Sequence, residues 1–379
     1  MEFRDLKSQY QKYKNEIDEV VNEVLIDSNF ISGHQVESLE MRLAEYVGVK
    51  HCITCANGTD ALSLVLKAWN VGKGDAVFVP NFTFFATAEV VSYTGATPIF
   101  VDVNADTFNI ESEKLVDKIE EVILKKQLIP KVIIPVDLFG LLADYDQISI
   151  IAKKYNLLVL EDAAQGFGAS YRNKRAGSFG DAATTSFFPA KPLGCYGDGG
   201  AIFTNDDSLA NLIKSLRVHG KGLDKYDNVR IGVNSRLDTI QAAILEVKLD
   251  AFINHELEDV NRNYKRYNSL LMGIVDIPYI PDDYLSSFAQ YTIKLKSKKQ
   301  RDDLKQYLST KDIPSMIYYS KTMHNQTAFK NLNNLDDDYP VSIDLCNKVL
   351  SLPMHPYLKE LDIELVAKSI IEFLNNHSD

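Results

Sequence analysis

The chain has 379 residues, 45% of them hydrophobic and 25% charged, with a formal net charge of -11. This is the composition of an ordinary soluble globular protein, long enough for one large core and a second, smaller unit. The acidic balance argues against nucleic acid as a partner, and no run of about 18 uncharged apolar residues is present to cross a membrane.

The first residues, Met1-Glu2-Phe3-Arg4-Asp5, do not read as a signal peptide, so a cytoplasmic location is expected. Tyr10, Tyr13, Ile17, Val20, Val21, Val24 and Leu25 recur at helical spacing, which predicts an amphipathic helix over 7–28, packed across a dimer. A turn around Gly33 follows. Residues 36–47 then read as a second helix with Leu39, Leu43 and Tyr46 on one face, and His34 reads as a surface turn residue. Cys52 and Cys55 have redox or zinc spacing, yet no second Cys or His pair stands at the distances a zinc site uses. A buried structural role is expected for them, with no disulfide and no metal.

From His51 the chain passes from a short strand through Asn57-Gly58-Thr59 into a helix predicted over 61–68. Free backbone N–H groups and the positive end of the helix dipole then meet at one turn, where phosphate binds readily. A plain turn with an N-cap would look the same. The strand 76–80 leads into Asn81-Phe82-Thr83-Phe84-Phe85, and an aromatic ring just past a strand end can lie flat on a heteroaromatic ligand. Phe82 and Phe85 read as core.

Residues 97–102, 132–136 and 157–160 are further short apolar strands separated by helical or loop stretches. That alternation predicts an α/β fold with a mostly parallel sheet and helices on both faces. Asp162 falls at the carboxyl end of the run Leu157-Leu158-Val159-Leu160-Glu161-Asp162, where open α/β sheets bind their ligands. Downstream, Ser186-Phe187-Phe188-Pro189-Ala190-Lys191 runs into the glycines of Gly197-Asp198-Gly199-Gly200, and 201–204 is another strand. A lysine in a dry, Gly-rich, aromatic setting is a candidate for Schiff-base chemistry, although most lysines are solvated surface groups. A carboxylate for a pyridinium nitrogen and an amine for an aldehyde are together what pyridoxal 5′-phosphate (PLP) requires.

Gly220-Lys221-Gly222 lacks the spacing of a P-loop, and the Rossmann glycine fingerprint is absent, which disfavours a nicotinamide enzyme. Ile240, Ala243, Ile244, Val247, Leu249 and Ile253 predict one long helix from Asp238 to about Leu271 that bridges two domains. Residues 272–379, with a strand over 290–295 and a helix over 363–374, read as a smaller α+β lobe, so we divide the chain into 1–250 and 251–379.

The segments Glu161-Asp162-Ala163-Ala164-Gln165, Ser186 to Lys191 and Gly197 to Ala201 resemble the DegT/DnrJ/EryC1/StrS family of PLP-dependent sugar aminotransferases. The likeness runs from Phe3-Arg4-Asp5-Leu6 to Leu352-Pro353-Met354-His355-Pro356, nearly the whole chain. It implies the aspartate-aminotransferase fold and a homodimer with shared active sites. By resemblance, Lys191 is the catalytic residue that holds the cofactor, Asp162 faces the ring nitrogen, Gln165 the ring hydroxyl and Phe84 the ring face. Gly58, Thr59 and Ser186 would hold the phosphate together with the partner subunit's Asn234.

Tyr319 and Arg236 are the candidates for contact with the sugar. Where the family often has His-Tyr-Pro, this chain has Tyr318-Tyr319-Ser320, so only Tyr319 matches; His355 is as readily a packed residue as a site residue. Where many members have His-Leu-Tyr-Gly, this chain has Asp137-Leu138-Phe139-Gly140, and no role is assigned to residue 137. The implied reaction moves an amino group from L-glutamate to a nucleotide-linked keto sugar in bacterial surface-polysaccharide or O-antigen biosynthesis. The segments look most like members acting at C3 of UDP-linked 3-keto-N-acetylhexosamines and their uronates, with dTDP-linked 3- or 4-keto-6-deoxy sugars as the runner-up. A PLP-dependent sugar dehydratase, in which histidine replaces the lysine, and a non-catalytic regulator, which would call for an added basic domain, are more remote alternatives.

Overall fold

The computed structural model describes residues 1–224 and 226–376. Strands β1 (His51–Cys55), β2 (Asp75–Pro80), β3 (Thr97–Val101), β4 (Ile129–Ile133), β5 (Leu158–Asp162), β6 (Ser170–Tyr171), β7 (Lys174–Arg175), β8 (Ala182–Ser186), β9 (Gly200–Thr204), β10 (Tyr284–Leu285), β11 (Tyr291–Lys294) and β12 (Val349–Leu352) follow in chain order. Seven of them form one sheet in the order β1-β9-β8-β5-β4-β2-β3. Within it only β9 runs against its neighbours, β1 and β8. The remaining pairs are parallel. The expected mostly parallel sheet is therefore present, and the carboxyl ends of β1, β2, β5 and β8 open on one side of it.

Continuous apolar runs such as Ala76-Val77-Phe78-Val79 make strands that must be covered on both faces. On one face, helices Gly58–Ala68, Ala86–Tyr93 and Asp207–Leu216 bury Leu62, Val65, Val90 and Ile213 against Val77, Val79, Leu160 and Ile202. On the other, helices Ser112–Lys125 and Tyr145–Tyr155 bury Leu115, Ile119 and Ile148 against Phe78, Ile133 and Val159. Cys52 and Cys55 belong to cores on opposite faces of β1, and all four cysteines are buried free thiols.

Helix His34–Val47 packs Leu39 and Leu43 on Leu245 and Leu249 of helix Thr239–Ala251. It begins two residues earlier than the periodicity predicts, and His34 is its exposed first residue. The N-terminal amphipathic segment differs more. It is two helices, Leu6–Lys12 and Lys14–Asp27, broken at Tyr13, where φ -112° and ψ 23° leave the helical region. Ile17 and Val24 are buried as expected, whereas Leu25 is 50% exposed and neighbours Ile26 at 82% and Phe30 at 44%.

The predicted long helix is present in three pieces, Thr239–Ala251, a π-turn over Phe252–Glu256, and Leu257–Leu271. The π-turn carries Glu256, a buried carboxylate that accepts from Gln9 Nε2 and from the Tyr357 hydroxyl. Beyond it, β11 and β12 pair antiparallel, and Tyr267, Tyr291, Leu304 and Ile370 form a separate core with helices Lys298–Thr310 and Glu360–Asn376. No helix among the described residues is long and apolar enough to cross a membrane.

Candidate active site

β1 ends at Cys55, and Asn57 caps helix Gly58–Ala68 by accepting from Asp60 N at 2.8 Å. The helix thus starts at Gly58 itself, earlier than predicted, and its first-turn amides at Gly58 and Thr59 are the ones an α-helix leaves without an internal partner. Two glycines bring neighbouring backbone into this turn. A Cβ on Gly58 would come 2.7 Å from Ser186 Cβ, and one on Gly200 would come 2.5 Å from the carbonyl carbon of Asn57. Ser186, Gly58 and the start of β9 are therefore packed directly against one another at the positive end of a helix, a cradle whose free amides suit phosphate.

The register of the sheet carries this cradle to the acidic residue of β5. Ser186 stands opposite Gly200 on β9, and Thr184, two residues back on β8, stands opposite Asp162. The Asp162 carboxylate is buried, accepting from Thr87 Oγ1 at 2.9 Å and Ala164 N at 3.2 Å. Burial pushes its pKa up, opposed by the Thr87 hydrogen bond and by the nearby Lys191 charge. Burial correspondingly pushes Lys191 down, with Asp162 opposing. The two groups thus feel one another, although no ion pair joins them among the described residues. Lys191 follows the turn Phe188–Lys191, closed by Lys191 N donating to Phe188 O at 2.8 Å. Its carbonyl accepts from Arg4 Nη2 at 2.7 Å.

Gln165 is buried beside Asp162. Its Oε1 accepts from Phe139 N at 2.9 Å, and its Nε2 donates to the Tyr319 hydroxyl at 3.2 Å. The Tyr319 ring lies 6.4 Å from that of Phe84, centroid to centroid. Phe84 is 54% exposed, whereas Phe82 is buried and Phe85 packs on Phe329 at 5.3 Å, so the last two are core as expected. Lys191, Asp162, Gln165, Phe84 and Tyr319 thus gather at one end of the sheet with Ser186, Gly58 and Thr59 beside them.

Asn234 and Arg236 stand apart, on the wall of an open cavity of about 370 Å³ that they share with Ala56, Gly197, Asp198 and Gln241. Ser235 between them is buried and pinned, accepting from Ala56 N at 3.1 Å and donating to Asp60 Oδ2 at 2.6 Å. His355 is buried, neither ring nitrogen meets a hydrogen-bond partner among the described residues, and burial lowers its pKa to about 4. Sequence reasoning assigned nothing to Thr87, Arg4 or Asp137. The last is fully buried and adjoins both acids of β5.

A family model matches residues 11–371, that of the DegT/DnrJ/EryC1/StrS aminotransferase family. The chain belongs to this family. Its relatives include the UDP-2-acetamido-2-deoxy-3-oxo-D-glucuronate aminotransferase of Pseudomonas aeruginosa, 43% identical over 371 residues that cover 98% of this chain and 99% of that protein. A pleiotropic regulatory protein of Geobacillus stearothermophilus is also 43% identical, over 97% of both chains. Among solved structures, a DegT DnrJ EryC1 StrS aminotransferase from Brucella abortus superposes with a TM-score of 0.96 at 48% identity, covering 98% of this chain and 99% of that one. The likeness spans both the sheet and the C-terminal core, so the fold is that of these aminotransferases throughout.

Proposed function

We propose that this aminotransferase uses PLP to move an amino group from L-glutamate to a nucleotide-linked keto sugar. The observation that carries the reading is the convergence of Asp162 and Lys191 at the carboxyl ends of the parallel strands, beside a helix N-terminus that its glycines pack closely against Ser186 and β9. The residues fit the cofactor: an anion for the ring nitrogen, an amine for the aldehyde, and a helix N-terminus whose close packing on Ser186 and β9 a Cβ at Gly58 or Gly200 would break. When bound, PLP supplies an electron-accepting ring that lets a C–H bond beside an amine ionise.

The chain's own groups do the rest. Lys191 would hold the aldehyde carbon and, as a free amine, would move a proton from the donor's Cα; burial favours its neutral form, the one able to do so. Asp162 keeps the ring nitrogen protonated, and Thr87 holds that carboxylate in place. Gln165 has one amide hydrogen left beyond the Tyr319 bond, and the ring hydroxyl is its partner. Phe84, half-exposed, covers the ring face. Gly58, Thr59 and Ser186 hold phosphate, and the partner's Asn234 completes the shell. Tyr319 and, from the same arm as Asn234, the partner's Arg236 meet the sugar.

The homodimer and the division near residue 250 are part of this reading. Leu223 at 108% and Ile231 at 84% exposure lie on the arm just before Asn234, large apolar side chains that an interface would cover. For the sugar we favour a UDP-linked 3-keto-N-acetylhexosamine or its uronate, on the 43% identity to the P. aeruginosa protein. The non-catalytic alternative is disfavoured by the lysine and aspartate being in place.

The test is direct. The protein loaded with PLP should absorb at the wavelength of a lysine-bound cofactor, and borohydride reduction with peptide mapping should put the pyridoxyl group on Lys191. A label on another lysine sinks the assignment. L-Glutamate alone should then convert the cofactor to its amine form with release of 2-oxoglutarate, and UDP-linked 3-keto sugar should restore the absorbance faster than any dTDP-linked 4-keto-6-deoxy sugar. The reverse order would move the substrate to the second class.

A further inference from the structure

Behind Asp162 lies a pair of acids that the proposed mechanism leaves unused. Asp137 and Glu161 are both fully buried, and the parallel bridge between Val136 and Asp162 sets their side chains on the same face of neighbouring strands. Asp137 follows β4, and its backbone N–H donates to the carbonyl of Asp162 at 3.1 Å, so the pair is anchored to the strand that presents the ring aspartate.

The donors around the pair are accounted for atom by atom. Asp137 Oδ1 accepts from Ala143 N at 3.1 Å and from the Tyr145 hydroxyl at 2.9 Å. Glu161 Oε1 accepts from Gly177 N at 2.6 Å, and Oε2 from Phe179 N at 2.8 Å. Asp137 Oδ2 receives no hydrogen from any of these groups. Gly166 closes on it so tightly that a Cβ there would come within 2.6 Å. Two carboxyls buried side by side are costly to ionise together, and a proton carried by the neighbouring acid is the donor that Oδ2 lacks.

We propose that Asp137 and Glu161 share one proton as a buried acid pair, and that the single negative charge of the pair acts through Asp162 as a second counter-charge to the cofactor ring. Asp137 is in this sense a positioning residue and not a catalytic one. The proposal rests on the PLP reading above. Burial sets the order within the pair. Both acids are pushed up, Glu161 well above the carboxylate range, while the Ala143 N–H and the Tyr145 hydroxyl on Oδ1 favour the ionised form of Asp137, so the proton is placed on Glu161. The titratable groups that face Asp137 are Glu161 and Asp162 from β5 and Tyr145 from helix Tyr145–Tyr155, and Asp162 in turn faces Lys191. No cation among these groups touches the pair directly, so its charge is compensated only through Asp162 and whatever cation stands before it.

The direction of the effect follows. A negative charge behind Asp162 favours the protonated, cationic form of the bound cofactor, so removing it lowers the pH at which that proton is lost. With the PLP-loaded protein, Asp137→Asn should lower the pH midpoint of the cofactor's absorbance change by about 1 unit, the size a neighbouring charge produces. Glu161→Gln, whose amide N–H replaces the acid O–H as donor to Asp137, should leave the midpoint within a few tenths of a unit. An unmoved midpoint in Asp137→Asn, or an equal shift in both variants, overturns the proposal. Should Asp137→Asn not fold, the cofactor-free wild type serves. Its infrared spectrum at neutral pH should contain a carboxylic-acid C=O band that Glu161→Gln removes, and absence of that band overturns the pair. A protein that never acquires the cofactor band refutes the PLP reading instead, and the infrared result still judges the acids.

Discussion

Asp162 shows how far a single residue can be followed. Its place at the end of an apolar run is legible in the sequence, because a strand buried on both faces must be continuous and its first charged neighbours must stand at the ligand end. What holds its carboxylate is not legible, since Thr87 lies far away in the chain and looks like any helix-starting threonine. Replacing Asp162 with Asn should leave the fold intact and slow single-turnover conversion of PLP by glutamate at least about 100-fold, the loss expected when a buried charge is left without its partner. Thr87→Val removes the 2.9 Å bond to Asp162 Oδ2 while keeping the shape, and should slow the same step by about tenfold, equivalent to ~1.5 kcal/mol. An unchanged rate in Thr87→Val would show that Ala164 N alone positions the carboxylate.

At the scale of elements, long apolar strands were readable and polar ones were not. β8, Ala-Ala-Thr-Thr-Ser, has neither apolar alternation nor bulk, yet it lies buried between β5 and β9 and carries Ser186 to the cradle. Its small residues suit it to an interior position between two crowded strands, a tertiary reason that no local pattern reveals. Periodicity likewise overran the break at Tyr13 and the π-turn at Phe252–Glu256, both of which preserve the apolar stripe while changing the backbone. β9 tests the cradle. In Gly200→Ala the new Cβ meets backbone atoms of Asn57 and Gly58 at 2.5 to 2.8 Å, which cannot step aside as a side chain could. The variant should bind PLP more than about tenfold more weakly, read by cofactor dissociation from protein shown to be folded by circular dichroism. The N-terminal segment is tested at Arg4, whose guanidinium donates to the carbonyls of Lys191 at 2.7 Å and Pro192 at 3.3 Å. Arg4→Ala should lower the rate of covalent attachment at Lys191 with little change in circular dichroism; an unaltered attachment rate would show that the turn Phe188–Lys191 is self-supporting.

Across the whole molecule, the N-terminal segment, the helical run Thr239 to Leu271 and the C-terminal residues meet at a buried charged cluster beneath the lysine loop. Glu256 accepts from Gln9 of the first helix and from Tyr357 near the C-terminus, and the charges of Arg4 and Lys248 face it. Lys248 is 1% exposed, its ammonium 4.6 Å from the centre of the Tyr196 ring. Burial lowers its pKa to about 8, with Arg4 adding to the effect and Glu256 opposing it. Between about 8 and the unfolded value near 10.4, the unfolded chain holds a proton that the folded one has released, so stability rises with pH across that window. The rise amounts to roughly 3 kcal/mol for this residue. Lys248→Met keeps the length of the side chain and removes the titration. Its stability relative to wild type should be highest below pH 8 and fall by about that amount toward pH 10, when denaturant unfolding of both proteins is compared at each pH. A difference between the two that stays constant from pH 7.5 to 10 would mean that Glu256 holds Lys248 charged throughout, and that the cluster is an ion pair binding three parts of the chain and not a buried amine tolerated among them.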